Sequence, residues 1–587
     1  MAEVQAQVDR ISNLRLVTGL AGAGLGVAVW REALVGSWLL VPLVAFVGLV
    51  LWHERTHRAL EAAKRAVAHY RAGLRRIDDT WMGRGFGGES LRPEDHPYAA
   101  DLDVLGEGSL FELLCTARTG AGQQRLATWL LAASPLPELR ARQAAVEALR
   151  QRLDLREALD LAGDRFDAEL DPTMVVAWGA APATMAPPSA RRWGLVAWVV
   201  PAASLVAMAA WIWGGWGPGP FAGLLLVTWV VGRATRGFVR RAHLSAERSA
   251  LQLSALARVL GCLEAEDFDD PTLHALHTTL VSGRSSASTS IRRLARLLAW
   301  AEAARGQLFS PIAFALLWSL HFSIAIERWR QAHGPAIEGW LDALGRLEAL
   351  ASLSAFAYEH PEDPFAELVD DQVGLDGQQL GHPLLPATQC VRNSITLDAS
   401  VRACIVSGSN MSGKSTYLRT IGINVVLGLA GAPVRAERLR MSALRIGATL
   451  RVQDSLQTGT SRFFAEITRL RSVVADAEAG PGVLFLLDEI LHGTNSNDRR
   501  EGGHAVVQGL LAKGAVGLVT THDLALATDN DDPRIINVHF CDELRDGQLH
   551  FDYRLREGVV RTSNALALMA AVGLPVGDAQ ASSQAVE

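Results

Sequence analysis

The residues able to do chemistry lie in the last third of the chain. Gly408 to Ser415 reads GSNMSGKS, a GxxxxGK[ST] pattern directly after the apolar run ACIVS (Ala403 to Ser407). In such a loop the glycines let backbone N–H groups converge on phosphate oxygens, and the following helix adds the positive end of its dipole. The expected phosphate-binding set is Gly408, Ser409, Asn410, Met411, Ser412, Gly413, Lys414, Ser415 and Thr416. Lys414 can reach the β- and γ-phosphates, and the Ser415 hydroxyl can ligate Mg²⁺. A second element, LFLLDE, ends an apolar run on Asp488 and Glu489. Charges there cannot be core residues, so they must face a polar site at the sheet edge. Asp488 is expected to hold the Mg²⁺ shell, and Glu489 to polarise an attacking water. A third element, TTHD, places His522 after another apolar run, within reach of the γ-phosphate or the water. The chemistry expected of the set is Mg²⁺-dependent ATP hydrolysis, with Lys414, Glu489 and His522 as its catalytic residues.

The elements that must position these groups are short β-branched runs alternating with helical segments. ACIVS, VLFLL (Val483 to Leu487) and VGLVT (Val516 to Thr520) read as strands of a largely parallel sheet. A glutamate directly after the strand aspartate, with a later histidine, points to the ABC-like class of P-loop ATPases. Such sites are usually completed by a second copy. A signature loop is therefore expected between the P-loop and the acidic strand, and GTSRFFAE, Gly459 to Glu466, fits: small polar residues open a helix whose N-terminus can face a partner's γ-phosphate.

Upstream the chain reads as helical, interrupted by apolar hairpins. Trp193 to Gly232 contains no charged residue, and its middle, GGWGPGP, is a turn by composition. Leu16 to Trp30 and Ala33 to Trp52 form another apolar pair, the first of the two in chain order. Arg10 and Arg15 precede the first pair, and Arg55, Arg58, Lys64 and Arg65 follow it. Arg191 and Arg192 precede the second, and Arg233, Arg236, Arg240 and Arg241 follow it. By the positive-inside rule both hairpins are expected to cross the cell (inner) membrane and leave the rest of the chain in the cytoplasm. No cleaved signal peptide is expected, since a second span follows at once. A further apolar stretch, Leu308 to Ile326, carries Ser310, Pro311, Ser319, His321 and Ser323 and reads as a buried helix of the soluble part. Residues 240–305 read as exposed helices.

The 587 residues carry a formal net charge of -6, so no global basic character points to nucleic acid. The five cysteines, at 115, 262, 390, 404 and 541, have neither metal-ligand nor disulfide-framework spacing. The expected organisation is a hairpin at 1–60, a helical region at 61–192, a second hairpin at 193–232, a helical core and lever at 233–375, the ATPase domain at 376–575 and a disordered tail at 576–587.

The motifs resemble the MutS family of mismatch-repair ATPases. SGSNMSGKSTYLRT resembles that family's P-loop, LLDEILHGTNSNDRREG its acidic strand and following loop, and TTHD its histidine motif. GHP at Gly381 to Pro383 resembles the opening of its ATPase domain, and TSNALALMAAVGLP its closing helix. CTARTGAGQQRLATWL resembles the start of its helical core, more weakly. The resemblance implies that Ser461, within GTSRFFAE, reaches the nucleotide of a second copy, so a homodimer is expected. It leaves no room for the family's N-terminal mismatch-reading domain, so ATP hydrolysis is expected to carry over and mismatch recognition is not. Three functions stay open: a membrane-tethered ATPase acting on DNA or on a protein partner, a mismatch-repair or recombination factor, and a protein-remodelling or ABC-type engine.

Overall fold

In the computed structural model the chain is described from residue 2 to residue 560, apart from 32–34, 164–171, 186, 244–248, 284, 305, 308, 371, 410, 452–461, 493, 523–526, 528–531 and 546–547. Asn410, Ser461, the opening of GTSRFFAE, TSNALALMAAVGLP and the tail at 576–587 lie outside the described residues.

The helical part is organised around one helix, Ile337–Glu359, which is buried along nearly its whole length from Leu341 to Ala357. With only a narrow polar edge at Asp342 and Arg346, this helix has almost no solvent face and must be a core element. Helices Gly120–Leu131, Leu136–Leu149 and Pro271–Val281 pack on it. Local sequence starts these helices: the Thr119 hydroxyl accepts the Gly122 N–H, and Asp270 caps a helix opening on Pro271.

Two pairs of helices stand apart in character. Ala2–Trp30 packs on Leu40–Ile77, and Pro187–Trp213 packs on Gly219–His243. All four contain stretches long and apolar enough to cross a membrane. Their large apolar side chains, among them Leu20, Leu43, Trp198 and Leu226, face outward rather than into the protein. The GGWGPGP turn falls between the helices of the second pair, whereas the helix expected from Ala33 begins only at Leu40, after a 3₁₀ turn at Gly36–Leu39.

Two sequence expectations need correction. The segment 240–305 does not form exposed helices. Ser249–Glu264 and Ala287–Ala303 bury Leu253, Leu256, Leu260, Ile291, Leu294 and Leu298 in the main core. Their arginines occupy the remaining face, which is how an amphipathic core helix reads from composition alone. The stretch Leu308 to Ile326 is not one buried helix either. It breaks at Leu317, whose φ is +49°, into Ser310–Ala315 and Trp318–His333. Leu317, Leu320 and Ile324 are buried against Ala197, Val231 and Phe238 of the second pair, while Ile312 and Phe314 remain exposed.

From residue 365 the chain becomes α/β. A six-stranded sheet has the order β10-β9-β4-β8-β7-β6: β4 Ala403–Ser407, β6 Arg445–Thr449, β7 Val483–Asp488, β8 Val516–Thr521, β9 Ile535–Arg545 and β10 Gln548–Glu557. All neighbours run parallel except β9 and β10. A smaller mixed sheet, not foreseen from sequence, has the order β1-β5-β2-β3 (β1 Glu367–Val369, β2 Leu375–Leu380, β3 Asn393–Leu397, β5 Arg438–Ser442). One hydrophobic core runs from Trp81 through the helices to Phe540 of β9. The close approach is seen at Gly422, where a Cβ would lie 2.7 Å from Leu102 and from Leu486.

Candidate active site

Register in the six-stranded sheet brings three loops together. β8 lies between β4 and β7, with Ser407 opposite Thr521 and Asp488 opposite Thr520. The P-loop leaves the tip of β4, Glu489 the tip of β7 and His522 the tip of β8. At a strand spacing of about 4.8 Å, these exits fall within roughly 10 Å of one another.

The P-loop needs a backbone that ordinary residues resist. Gly413, at φ +100°, is the residue before helix Lys414–Ala430, and a Cβ there would meet the Tyr553 ring at 3.0 Å. Lys414 is 4% exposed, and its ammonium donates to the carbonyls of Gly408 at 2.9 Å and Ser409 at 2.8 Å, tying the loop to the helix. Burial lowers the Lys414 pKa, opposed by the nearby carboxylates of Glu489 and Asp488. The hydroxyls of Ser409 and Ser412 are buried in the loop with no partner among the described residues. Ser415 is half-buried, Thr416 is exposed, and the Met411 side chain lies in the open, so Met411 contributes its left-handed backbone, φ +69°, rather than its thioether.

Thr520 on β8 organises the acidic pair. Its hydroxyl donates to Asp488 Oδ1 and accepts the Glu489 N–H at 3.0 Å. Glu489 itself sits at φ +49°, a costly conformation for a residue with a Cβ, which turns its carboxylate off the strand direction. His522 Nε2 lies against Glu489 Oε1. His522, with Lys414 and His492 adding, holds the Glu489 carboxyl below the usual carboxylate range despite partial burial. Glu489 is therefore ionised at neutral pH, as a proton acceptor must be.

A cleft of about 830 Å³ opens beside the P-loop. Lys414, Ser415 and Thr416 lie at one side, Glu489 at its edge, and Val391, Asn393, Phe540 and Tyr553 complete the walls. His382 also lines it, and burial pushes its pKa down to about 4, so it is neutral. Sequence reasoning did not single out Thr520, Tyr553 or Asn393. Thr520 stood inside TTHD, where two threonines end a strand; nothing local marked the other two. Ser415 and Asp488 are hard oxygen donors of the kind Mg²⁺ takes. No cluster of three or more His, Cys, Asp or Glu side chains able to hold a metal occurs among the described residues.

A parallel sheet with a P-loop at one strand tip and an Asp-Glu pair two strands away defines a P-loop ATPase domain. Residues 404–587 match the family model of MutS domain V. The chain is 33% identical over 239 residues to a DNA mismatch repair protein MutS 2 of Halobacterium salinarum, covering 40% of this chain and 27% of that protein. It is 31% identical over 275 residues to a DNA mismatch repair protein MutS of Haloquadratum walsbyi (45% and 28%). It is 30% identical over 259 residues to an Endonuclease MutS2 of Thermus thermophilus (42% and 32%). The likeness to MutS proteins thus includes the C-terminal residues 404–587, and the chain spans 27–32% of the length of these relatives.

Proposed function

We propose that this chain is a membrane-tethered MutS-like ATPase that binds and hydrolyses ATP with Mg²⁺ at a site completed by a second copy. The observation that carries the reading is the juxtaposition of buried Lys414 in the P-loop with Glu489 and His522 at the neighbouring strand tips. The P-loop amides and Lys414 bind the phosphates. Val391 and Tyr553 offer apolar surface to the base. Ser415 and Asp488 would hold Mg²⁺, which supplies charge neutralisation on the phosphates. Glu489 orients a water and takes its proton as the water oxygen bonds to the γ-phosphorus and the bond to ADP breaks. His522 lies against Glu489 and is positioned to orient its carboxylate. Ser461 of a second copy is assigned to the γ-phosphate, making the homodimer the working form.

The membrane enters through the four long apolar helices and the arginines at their ends. A DNA step is supported by the names of the relatives, which include mismatch repair proteins and an endonuclease. The matched stretch centres on the nucleotide domain, so the DNA step and any protein partner rest on the family alone. Salt-dependent duplex binding with a mismatch preference would identify a repair factor, whereas its absence favours a protein partner.

Purified protein in detergent provides the test of the ATPase reading. Lys414→Ala should lose nucleotide binding and turnover together. Glu489→Gln should keep binding and lose turnover by at least about 100-fold. Turnover in Lys414→Ala equal to the parent protein would refute the reading.

A further inference from the structure

The turn that carries Glu489 is held by a carboxylate from elsewhere in the fold. Ile490 and Leu491 are buried, and Leu491, like Glu489, has a positive φ, +59° against +49°. Two such residues within three positions persist only where neighbours fix them. The buried Leu491 N–H needs a partner, and it donates to Glu466 Oε1. Glu466 is 5% exposed and lies in the helix Arg462–Glu478.

That helix is itself seated at both levels. Leu470, Val473 and Ala477 pack with Phe485 and Leu487 of β7. One turn beyond Glu466, Arg469 donates at 2.6 Å to Asp101, a fully buried carboxylate from the loop of the helical region. Asp101 also accepts the backbone N–H groups of Leu450 at 2.9 Å and Arg451 at 2.6 Å, just past the tip of β6. The same helix therefore touches the helical region through Arg469 and the Glu489 turn through Glu466.

We propose that Glu466 is a positioning residue for ATP hydrolysis: by clamping the Leu491 N–H it aims Glu489 toward Lys414 and His522, from a helix that Asp101 holds through Arg469. The proposal rests on the reading of Glu489 as the base. Glu466 touches neither nucleotide nor water; it acts within its own subunit, through the turn.

The test separates this from an effect on the partner-facing segment that precedes the helix. Glu466→Ala in the full chain should lower turnover about 10- to 100-fold, the effect of leaving a buried N–H without its acceptor. The dissociation constant for a fluorescent ATP analogue should stay within about twofold of the parent's, since uniform binding is untouched. Glu466→Gln, which keeps a carbonyl acceptor, should recover most of the turnover. Glu466→Ala mixed with Lys414→Ala should regain nothing, because neither subunit then has both an intact P-loop and an aimed base. Ser461→Ala mixed with Lys414→Ala should regain activity, and failure of that control counts against the composite site, not against Glu466. Should Glu466→Ala not accumulate as folded protein, Arg469→Gln takes its place, with the same pattern at about 3- to 10-fold. Unchanged turnover in these variants, or activity regained on mixing with Lys414→Ala, overturns the proposal. Turnover retained in Glu489→Gln instead overturns the reading beneath it.

Discussion

The hydroxyl of Thr520 makes two bonds at once, donating to Asp488 and accepting from the Glu489 N–H. Valine has the same shape and can make neither. Thr520→Val should therefore release the Asp488 carboxylate and leave the Glu489 N–H without its acceptor, at about 1 kcal/mol per neutral bond and more where the partner is charged. Turnover is expected to fall roughly tenfold or more, and the Mg²⁺ concentration for half-maximal rate to rise, while Thr520→Ser stays near the parent. A steady-state titration of Mg²⁺ on the three proteins decides it; an unaltered Mg²⁺ midpoint in Thr520→Val would remove Thr520 from the site. At this scale the sequence shows what is contiguous. Lys414, Ser415, Asp488, Glu489 and His522 stand in short motifs whose residue types announce phosphate, metal and proton chemistry. Thr520 acts across 31 residues, Glu466 across 25, and Asp101 across 368. No local pattern marks a side chain whose partner is chosen by sheet register or by helix packing.

Elements meet the site through buried charges at helix ends. The P-loop helix Lys414–Ala430 ends on Gly431 at φ +81°, and the Arg142 guanidinium donates to its last carbonyls, Ala430 at 3.2 Å and Leu429 at 3.4 Å. Arg142 also lies 3.9 Å over the Trp129 ring, so the helix whose N-terminus faces phosphate is held at its other end by the helical region. The helix Gly120–Leu131 is held at its start by Glu348, which accepts the backbone N–H groups of Arg118 at 3.1 Å and Thr119 at 3.3 Å. Burial pushes the Glu348 carboxyl up to about 7, from an ordinary 4.5. The folded state thus keeps a proton that the unfolded chain has already released. The Glu348 contribution to stability is greatest below pH 4.5, falls as the pH rises through the window up to about 7, and levels off above it, at about 3 kcal/mol at most. Glu348→Gln, neutral throughout, should flatten that slope, read as thermal midpoints in detergent from pH 5 to 8. An identical slope in parent and variant would assign the pH dependence to other groups. The elements themselves were unevenly legible. β4, β7 and β8 are continuous apolar runs, because buried parallel strands must be. β1, β2 and β5 are short, half-polar and paired across the chain, so their sheet has no such signature.

On the scale of the whole molecule, the outward-facing apolar helices and the nucleotide domain belong to one connected structure. The second helix pair is fastened to the helical region by His321, whose Nε2 donates to the Ala197 carbonyl at 2.7 Å, and by Leu317, Leu320 and Ile324 packed on Ala197, Val231 and Phe238. A tether of this kind would hold the nucleotide domain at a fixed side of the bilayer rather than on a loose leash. By the positive-inside rule the arginines would put that side in the cytoplasm. They flank both ends of both pairs, while the turn from Gly214 to Pro218 carries no charge. If the pairs are membrane hairpins, Gly217→Cys should react with a membrane-impermeant maleimide in intact cells, and Arg240→Cys only after permeabilisation. The parent protein serves as the blank, because its cysteines, from Cys115 to Cys541, all lie in segments assigned to the cytoplasmic side. Reversed labelling would put the nucleotide site away from cytoplasmic ATP and break the link between anchor and engine. Equal labelling at both positions, with the protein recovered in a carbonate supernatant, would mean instead that the apolar faces close on another protein surface. Burying them is unavoidable either way, since helices with 0–22% of their most apolar stretches covered cannot be left to water.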